Sequence, residues 1–251
     1  MDYNPFSLKN KTVLVTGASS GIGQATAVAC SRMGAVVVIS GRNEERLRET
    51  YSMLEQSVAG HSIIVSDLSE DAEISKMVQS LPELDGVVSN AGIGLMSPVQ
   101  FINRSDLDNV FSVNTFSHIL LTKTLLRQKK LKKNSSLVYV SSISGYSNTA
   151  IANSVYSASK SALTAYVKSA ALELASRGIR CNSVHPGRIE TPLINNGKLS
   201  EEDVAHDMAK YPLKRYGKPE EVAWQIVYLL SDASSWVTGS QFVIDGGRSL
   251  K

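Results

Sequence analysis

Short apolar runs alternate along this chain with longer segments in which apolar residues recur every three or four positions. Thr12–Thr16, Val36–Ile39, Ser62–Val65, Gly86–Val88, Leu137–Val140, Arg180–Val184 and Gln241–Ile244 are four- or five-residue stretches, most of them rich in Val and Ile. Continuous apolar strands, rather than alternating ones, are what a sheet covered on both faces requires. Between them, helices are predicted over Ile22–Met33, Glu44–Val58, Asp71–Leu81, Ser105–Leu131, Val155–Ser176 and Pro219–Ser231. The pattern predicts an α/β fold: a doubly wound Rossmann-type sheet of about seven parallel strands. No repeat or flexible linker interrupts it, so residues 1–251 read as a single domain.

One segment departs from the rhythm. Residues 193–213 follow the sixth strand and carry Asn195-Asn196-Gly197, a short polar helix pattern from Ser200 to Lys210, and Pro212. Ser200 followed by Glu201, Glu202 and Asp203 fits a helix N-cap with acids in the first turn. An insertion at the carboxyl end of a strand lies where open α/β sheets bind ligands. It is read as a substrate lid or as a surface excursion.

Composition narrows the class. The chain is 43% hydrophobic and 20% charged, as in ordinary globular proteins. A net charge of +3 is too small to suggest nucleic acid. No stretch approaches the ~18 apolar residues of a membrane span, and the N-terminus lacks a secretory pattern, so a cytoplasmic protein is expected. Cys30 and Cys181 read as reduced core thiols. His61, His118, His185 and His206 make no metal-ligand spacing and read as structural or surface residues. No metal site is expected.

Two constellations carry chemistry. Thr16-Gly17-Ala18-Ser19-Ser20-Gly21-Ile22-Gly23 joins the first strand to the first helix. Glycines there permit a tight turn and close approach to a pyrophosphate, which the free N–H groups of the helix N-terminus attract. The second strand then ends Ser40-Gly41-Arg42, with no acid from Ala35 to Asn43. A carboxylate there would favour NAD(H), whereas Arg42 matches the 2′-phosphate of NADP(H). The competing reading pairs Arg42 with Glu45 or Glu49 on the helix surface. The second constellation is Tyr156-Ser-Ala-Ser-Lys160, whose ends share one helix face. An ammonium beside a phenol lowers its pKa toward the range where acid–base catalysis is efficient. Ser142 supplies a hydroxyl to hold a carbonyl oxygen, chosen over its neighbours Ser141 and Ser144 because it leads the run to Gly145.

Together with Ser89-Asn90-Ala91-Gly92 and Asn114, these motifs resemble the short-chain dehydrogenase/reductase family over Thr12 to Gly247. Pro186-Gly187-x-Ile189-x-Thr191, Gly217-Lys-Pro-Glu-Glu-Val222 and Asp245-Gly246-Gly247 are most similar to its 3-oxoacyl-(acyl-carrier-protein) reductases. The resemblance implies that Tyr156 is the acid–base residue, that Lys160 lowers its pKa and binds the nicotinamide ribose, and that Ser142 positions the substrate oxygen. Asn114 would hold a water leading from Lys160 to solvent. The cofactor site implied is Gly17, Ser19, Ser20, Gly21, Ile22, Gly23, Ser40, Arg42, Asp67, Leu68, Asn90, Ala91, Gly92, Tyr156, Lys160, Pro186, Gly187, Ile189 and Thr191. Within it Asp67 and Leu68 meet the adenine, and Ile189 and Thr191 meet the carboxamide.

The same resemblance implies a homodimer or homotetramer built on the apolar helices around Ser105–Leu131 and Val155–Ser176. It also offers an acyl carrier protein as partner, docked on Lys133 and Arg177, although the basic run from Arg127 to Lys133 equally suits a solvated helix end. Ser89 stands where many relatives have Asn, and Arg188 replaces an aromatic or aliphatic residue. Arg188 meets an anionic substrate or pairs with Glu190. The leading expectation is an NADP(H)-dependent 3-oxoacyl-thioester reductase. Its alternatives are a dehydrogenase of a sugar, steroid or other secondary alcohol, and a non-catalytic dinucleotide sensor.

Overall fold

A computed structural model describes residues 4–192 and 200–250. Its seven strands form one parallel sheet in the order β3-β2-β1-β4-β5-β6-β7. They are β1 (Thr12–Thr16), β2 (Val36–Gly41), β3 (Ser62–Val65), β4 (Leu84–Ser89), β5 (Leu131–Val140), β6 (Arg180–Pro186) and β7 (Gln241–Ile244). Eight α-helices are described: α1 (Gly21–Arg32), α2 (Glu44–Ser52), α3 (Asp71–Ser80), α4 (Arg104–Phe111), α5 (Ser117–Arg127), α6 (Ser154–Leu174), α7 (Glu201–Ala209) and α8 (Pro219–Leu230).

The continuous apolar strands are explained by two cores, one on each face. Val13, Val15, Val37, Ile39, Val138 and Val140 pack with Ala27 and Cys30 of α1, Leu47 of α2 and Ile226 of α8. The residues between them, Leu14, Val38, Leu137 and Tyr139, pack with Ile74 and Met77 of α3, Leu121 of α5 and Leu163 of α6. Alternate side chains of each strand thus feed opposite faces, and neither face tolerates a polar residue without a partner.

Several predicted boundaries move, for local reasons. The helix expected to reach Val58 stops at Ser52, because Leu54 turns into the core and Ser31 Oγ accepts the Glu55 N–H at 3.0 Å. The helix expected over Ser105–Leu131 is two helices joined by a π-turn, Ser112–Phe116. It ends at Arg127, where Lys129 takes a left-handed conformation (φ 54°) and the Lys130 N–H returns to the Leu125 carbonyl. Leu131 already belongs to β5. The basic run is therefore not one helix cap. Lys130 Nζ caps the end of α3 through the Gln79 and Leu81 carbonyls, Lys132 pairs with Asp85 at 2.8 Å, and Lys133 is exposed on β5.

Within the unusual 193–213 segment, residues 193–199 lie outside the described residues. The predicted cap at Ser200 is present: its hydroxyl accepts the Asp203 N–H at 3.1 Å and opens α7. The sheet order reverses between β1 and β4, and the loops leaving those two strands diverge to open a crevice at their carboxyl ends.

Candidate active site

The crevice is a cleft of about 770 Å³ that runs from the end of β2 across β1 and β4 to the ends of β5 and β6. Of the residues assigned to a cofactor from sequence, Gly17, Ser19, Ser20, Gly21, Ile22, Arg42, Asp67, Leu68, Asn90, Ala91, Gly92, Tyr156, Lys160, Pro186, Gly187, Ile189 and Thr191 line it. Ser142 lines it too, beside Tyr156.

The floor is made by Thr16 and Asn90. Thr16 Oγ1 accepts the N–H groups of Asn90 (3.0 Å) and Ala91 (3.3 Å), and Asn90 Nδ2 donates to the Thr16 and Gly17 carbonyls. Gly17 has φ 62°, and a Cβ on Gly23 would collide with the Gly17 carbonyl. Gly23 therefore acts by letting α1 close on the loop, and it does not face the cleft. Ser20, the N-cap of α1, makes no side-chain cap, unlike Asn43, Asn103 and Ser200 at the starts of α2, α4 and α7. The first N–H groups of α1 are thus left for an anion, and this loop fits a dinucleotide pyrophosphate.

Ser40 is a correction. Its side chain turns away from the cleft and meets Met77 Sδ at 3.3 Å, because alternate residues of β2 face opposite sides of the sheet. The edge is formed instead by Gly41, Arg42, Asn43 and Arg46. Arg42 pairs with Asp67 across the cleft at 3.7 Å, not with Glu45 or Glu49. Bonds from Ser69 and the Arg42 charge outweigh the burial that would raise the Asp67 pKa, and hold it below its ordinary value. Arg46 escaped the sequence reading, although it lies one helical turn beyond Arg42.

At the other end, the π-turn carries Asn114, fully buried. Its Oδ1 accepts the Ile93 N–H at 2.8 Å, and its Nδ2 donates to the Ile93 carbonyl and to Ser159 Oγ at 3.1 Å. The carboxamide is a brace between the β4 exit and α6. Gly92 lies directly against this pair: a Cβ there would be in van der Waals contact, 3.4 Å from both Asn114 Oδ1 and Lys160 Nζ.

Lys160 Nζ donates to the Val140 carbonyl at 2.9 Å, and burial lowers its pKa to about 8. Burial pushes the Tyr156 phenol upward, opposed by a hydrogen bond with Ser142. The expectation that Lys160 pulls the phenol down is thus not met in this arrangement. Desolvation of the phenolate dominates, and the ammonium is spent on a carbonyl. Ser141 bonds to the Lys160 carbonyl and Thr164 and anchors α6, whereas Ser142 Oγ accepts the Ser144 N–H at 3.1 Å and lines the cleft beside Tyr156.

Two buried histidines hold this frame from behind. His118 bridges Ser89 Oγ and the Ala91 carbonyl at 3.0 Å; burial and the Lys160 charge lower its pKa to about 3, so it stays neutral. The Ser89 departure is thereby compensated, since a small hydroxyl leaves room for an imidazole. His185 bridges Ser183 Oγ and the Ser142 carbonyl at 3.1 Å. Both are structural, as the sequence suggested.

Residues 17–249 match a family model described as enoyl-(acyl carrier protein) reductase. The chain is 39% identical over 245 residues to a 3-oxoacyl-(acyl-carrier-protein) reductase of Thermotoga maritima, covering 96% of this chain and 98% of that protein. A short-chain type dehydrogenase/reductase from Mycobacterium marinum superposes with a TM-score of 0.88 at 32% identity, covering 98% of each chain. A protein of Beutenbergia cavernae, provisionally named an NAD(P)-dependent gluconate 5-dehydrogenase and holding NADP at low occupancy, superposes at 0.90 with 28% identity, covering 99% of this chain and 100% of that one.

The lysine pKa has a consequence for stability. Between about 8 and 10.5 the unfolded chain binds more protons at Lys160 than the folded chain does, so stability rises with pH across that window. Relative to Lys160→Met, the wild type should gain about 3 kcal/mol from pH 8 to 10.5. Urea unfolding of both proteins at the two pH values measures it, and a pH-independent difference would mean that the ammonium is hydrated.

Proposed function

The chain belongs to the short-chain dehydrogenase/reductase family of oxidoreductases, and on that premise we propose that it is an NADP(H)-dependent enzyme reducing 3-oxoacyl thioesters to secondary alcohols. The observation that carries the reading is the convergence of Ser142, Tyr156 and Lys160 at one end of a cleft whose other end carries Arg42 and Arg46. A bound nicotinamide dinucleotide supplies the hydride. Ser142 holds the substrate oxygen and Tyr156 donates its phenolic proton to it. The phenol holds its proton at neutral pH, and the Ser142 hydrogen bond opposes the upward push of burial that would make it a weaker donor. The Ser142 hydrogen bond, which lowers the phenol pKa, stabilises the phenolate left behind, and Lys160, beside Gly92 and Asn114, binds the ribose. Gly17 to Gly23 and the uncapped α1 cradle the pyrophosphate, and Asp67 with Leu68 borders the adenine. Arg42, with Arg46, receives the 2′-phosphate.

The substrate assignment rests on the similarity to 3-oxoacyl-(acyl-carrier-protein) reductases over nearly the whole chain. The structural likeness to a provisional gluconate 5-dehydrogenase supports the second reading, a dehydrogenase of a sugar or another secondary alcohol. We read the chain as a homotetramer, on two separate apolar surfaces. One carries Phe101, Leu107, Phe116 and Leu172 around α4 to α6; the other carries Trp224 of α8, Trp236 and Val243 of β7.

Lys133 and Arg177, both exposed, flank Asn134 and Gly178, which touch. They lie at the amino end of β5 and just before β6, roughly 20 Å along the strand from Ser142. A carrier protein docked there would serve the cleft of another subunit, so the docking and tetramer readings stand together. Sedimentation of the chain as a monomer at assay concentration would remove both.

Tyr156→Phe should lower NADPH oxidation with acetoacetyl thioester by ~10²–10⁴-fold while the NADPH dissociation constant changes little. Full retained activity would refute the mechanism, and NADPH binding by the wild type without turnover on thioesters, cyclic ketones or sugars would favour a sensor. Arg42→Ala should weaken NADPH by about 10–100-fold and leave NADH nearly unchanged. Equal NADPH affinity in that variant would sink the cofactor assignment.

A further inference from the structure

Arg188 lies between Gly187 and Ile189, in the segment that closes the cleft beyond β6. Every polar group of its backbone is committed. Its N–H donates to the Tyr211 hydroxyl at 3.2 Å, and its carbonyl accepts the Gly217 N–H at 3.0 Å. The guanidinium does not reach Glu190 or the cleft. Nη1 donates to Asp207 Oδ2 of α7 at 2.8 Å, and the planar group lies over the Tyr216 ring, 5.3 Å from its centroid. The Tyr216 hydroxyl donates to the same Asp207 oxygen at 3.0 Å. Tyr211 and Tyr216 are buried and meet edge to face at 5.7 Å. The ion pair is about three-quarters covered, with side-chain exposures of 29% and 22%.

Successive residues of this segment face different ways. Arg188 faces α7, Ile189 is buried and bridges to Gly217, and the Thr191 side chain lies against Gly21 at the mouth of the phosphate loop. A displacement of Arg188 therefore moves Ile189 and Thr191. We propose that Arg188 and Asp207 are positioning residues: their ion pair, seated on Tyr216, clamps the Pro186–Thr191 segment to α7 and sets the nicotinamide end of the cleft. The inference rests on the dinucleotide reading above. It also deepens it, because the Arg188 guanidinium is engaged by Asp207, whose other oxygen lies 3.6 Å from Lys210, and is turned away from the cleft. The substrate is then a neutral ketone, such as a thioester, and not an anion recognised by this arginine.

The test separates the two ends of the cleft. NADPH and adenosine 2′,5′-bisphosphate, which lacks the nicotinamide half, are titrated against wild type, Asp207→Asn, Arg188→Met and the double variant, with thermal melting recorded for each. Asp207→Asn is isosteric and keeps the test open should Arg188→Met fold poorly. Each single variant should weaken NADPH about tenfold and leave the bisphosphate unchanged, and the double variant should be no worse than either single. Unchanged NADPH affinity, equal weakening of both ligands, or additive effects would overturn the clamp. Selective loss of turnover on a carboxylate-bearing ketone in Arg188→Met would make Arg188 an anion receptor instead. A wild type that binds no dinucleotide takes down the function proposal and this one together, whereas binding without a variant effect takes down the clamp alone.

Discussion

Everything at the cleft hangs on the stitch between β1 and β4. Thr16 Oγ1 donates to the Val88 carbonyl at 3.2 Å while accepting the N–H groups of Asn90 and Ala91, and Asn90 returns its amide to the Thr16 and Gly17 carbonyls. These are the two strands between which the sheet order reverses, so the loops that leave them part to opposite sides of the sheet. Side-chain bonds tie them together, beside the backbone bond from the Ala18 N–H to the Ser40 carbonyl of β2. They fix the crevice floor to within the tolerance of a hydrogen bond, and the glycines at 17 and 23 remove the side chains that would hold the loops apart.

The catalytic end is organised by burial more than by pairwise charge. Desolvation pushes the Tyr156 phenol up and the Lys160 ammonium down, so both groups sit closer to their neutral forms than in water. Holding two such groups costs stability, and the surroundings offset it with a dense frame of neutral bonds. Asn114 braces Ile93 and Ser159 from a π-turn, a geometry often found at functional sites. His118 and His185 add two bridges without adding charge, because burial keeps both rings neutral.

Much of this was legible in the sequence, and the misses have physical causes. All seven strands were readable because strands buried on both faces cannot be polar, and the glycine loop between β1 and α1 because glycine clusters mark tight strand-to-helix turns. The apolar pattern predicts one long helix around Asn114, and no glycine or proline marks the π-turn at Ser112–Phe116, which has helix on both sides. Ser40 was placed in the cleft because it precedes Arg42. Which face a strand residue takes depends on register, and register is set by the neighbouring strands.

The sequence by itself determined the layer order of the fold, the position of the glycine loop between β1 and α1, and which residue types are available at the Ser142, Tyr156 and Lys160 end of the cleft. Periodicity and local spacing carry these, and both are written along the chain. Only the tertiary structure decided who meets whom: Arg42 with Asp67, Ser89 with His118, Arg188 with Asp207. It also decided that burial, not Lys160, governs the Tyr156 phenol. Pairings across nineteen to twenty-nine residues, and the loss of water around a side chain, arise only when separate segments pack. No local pattern records them.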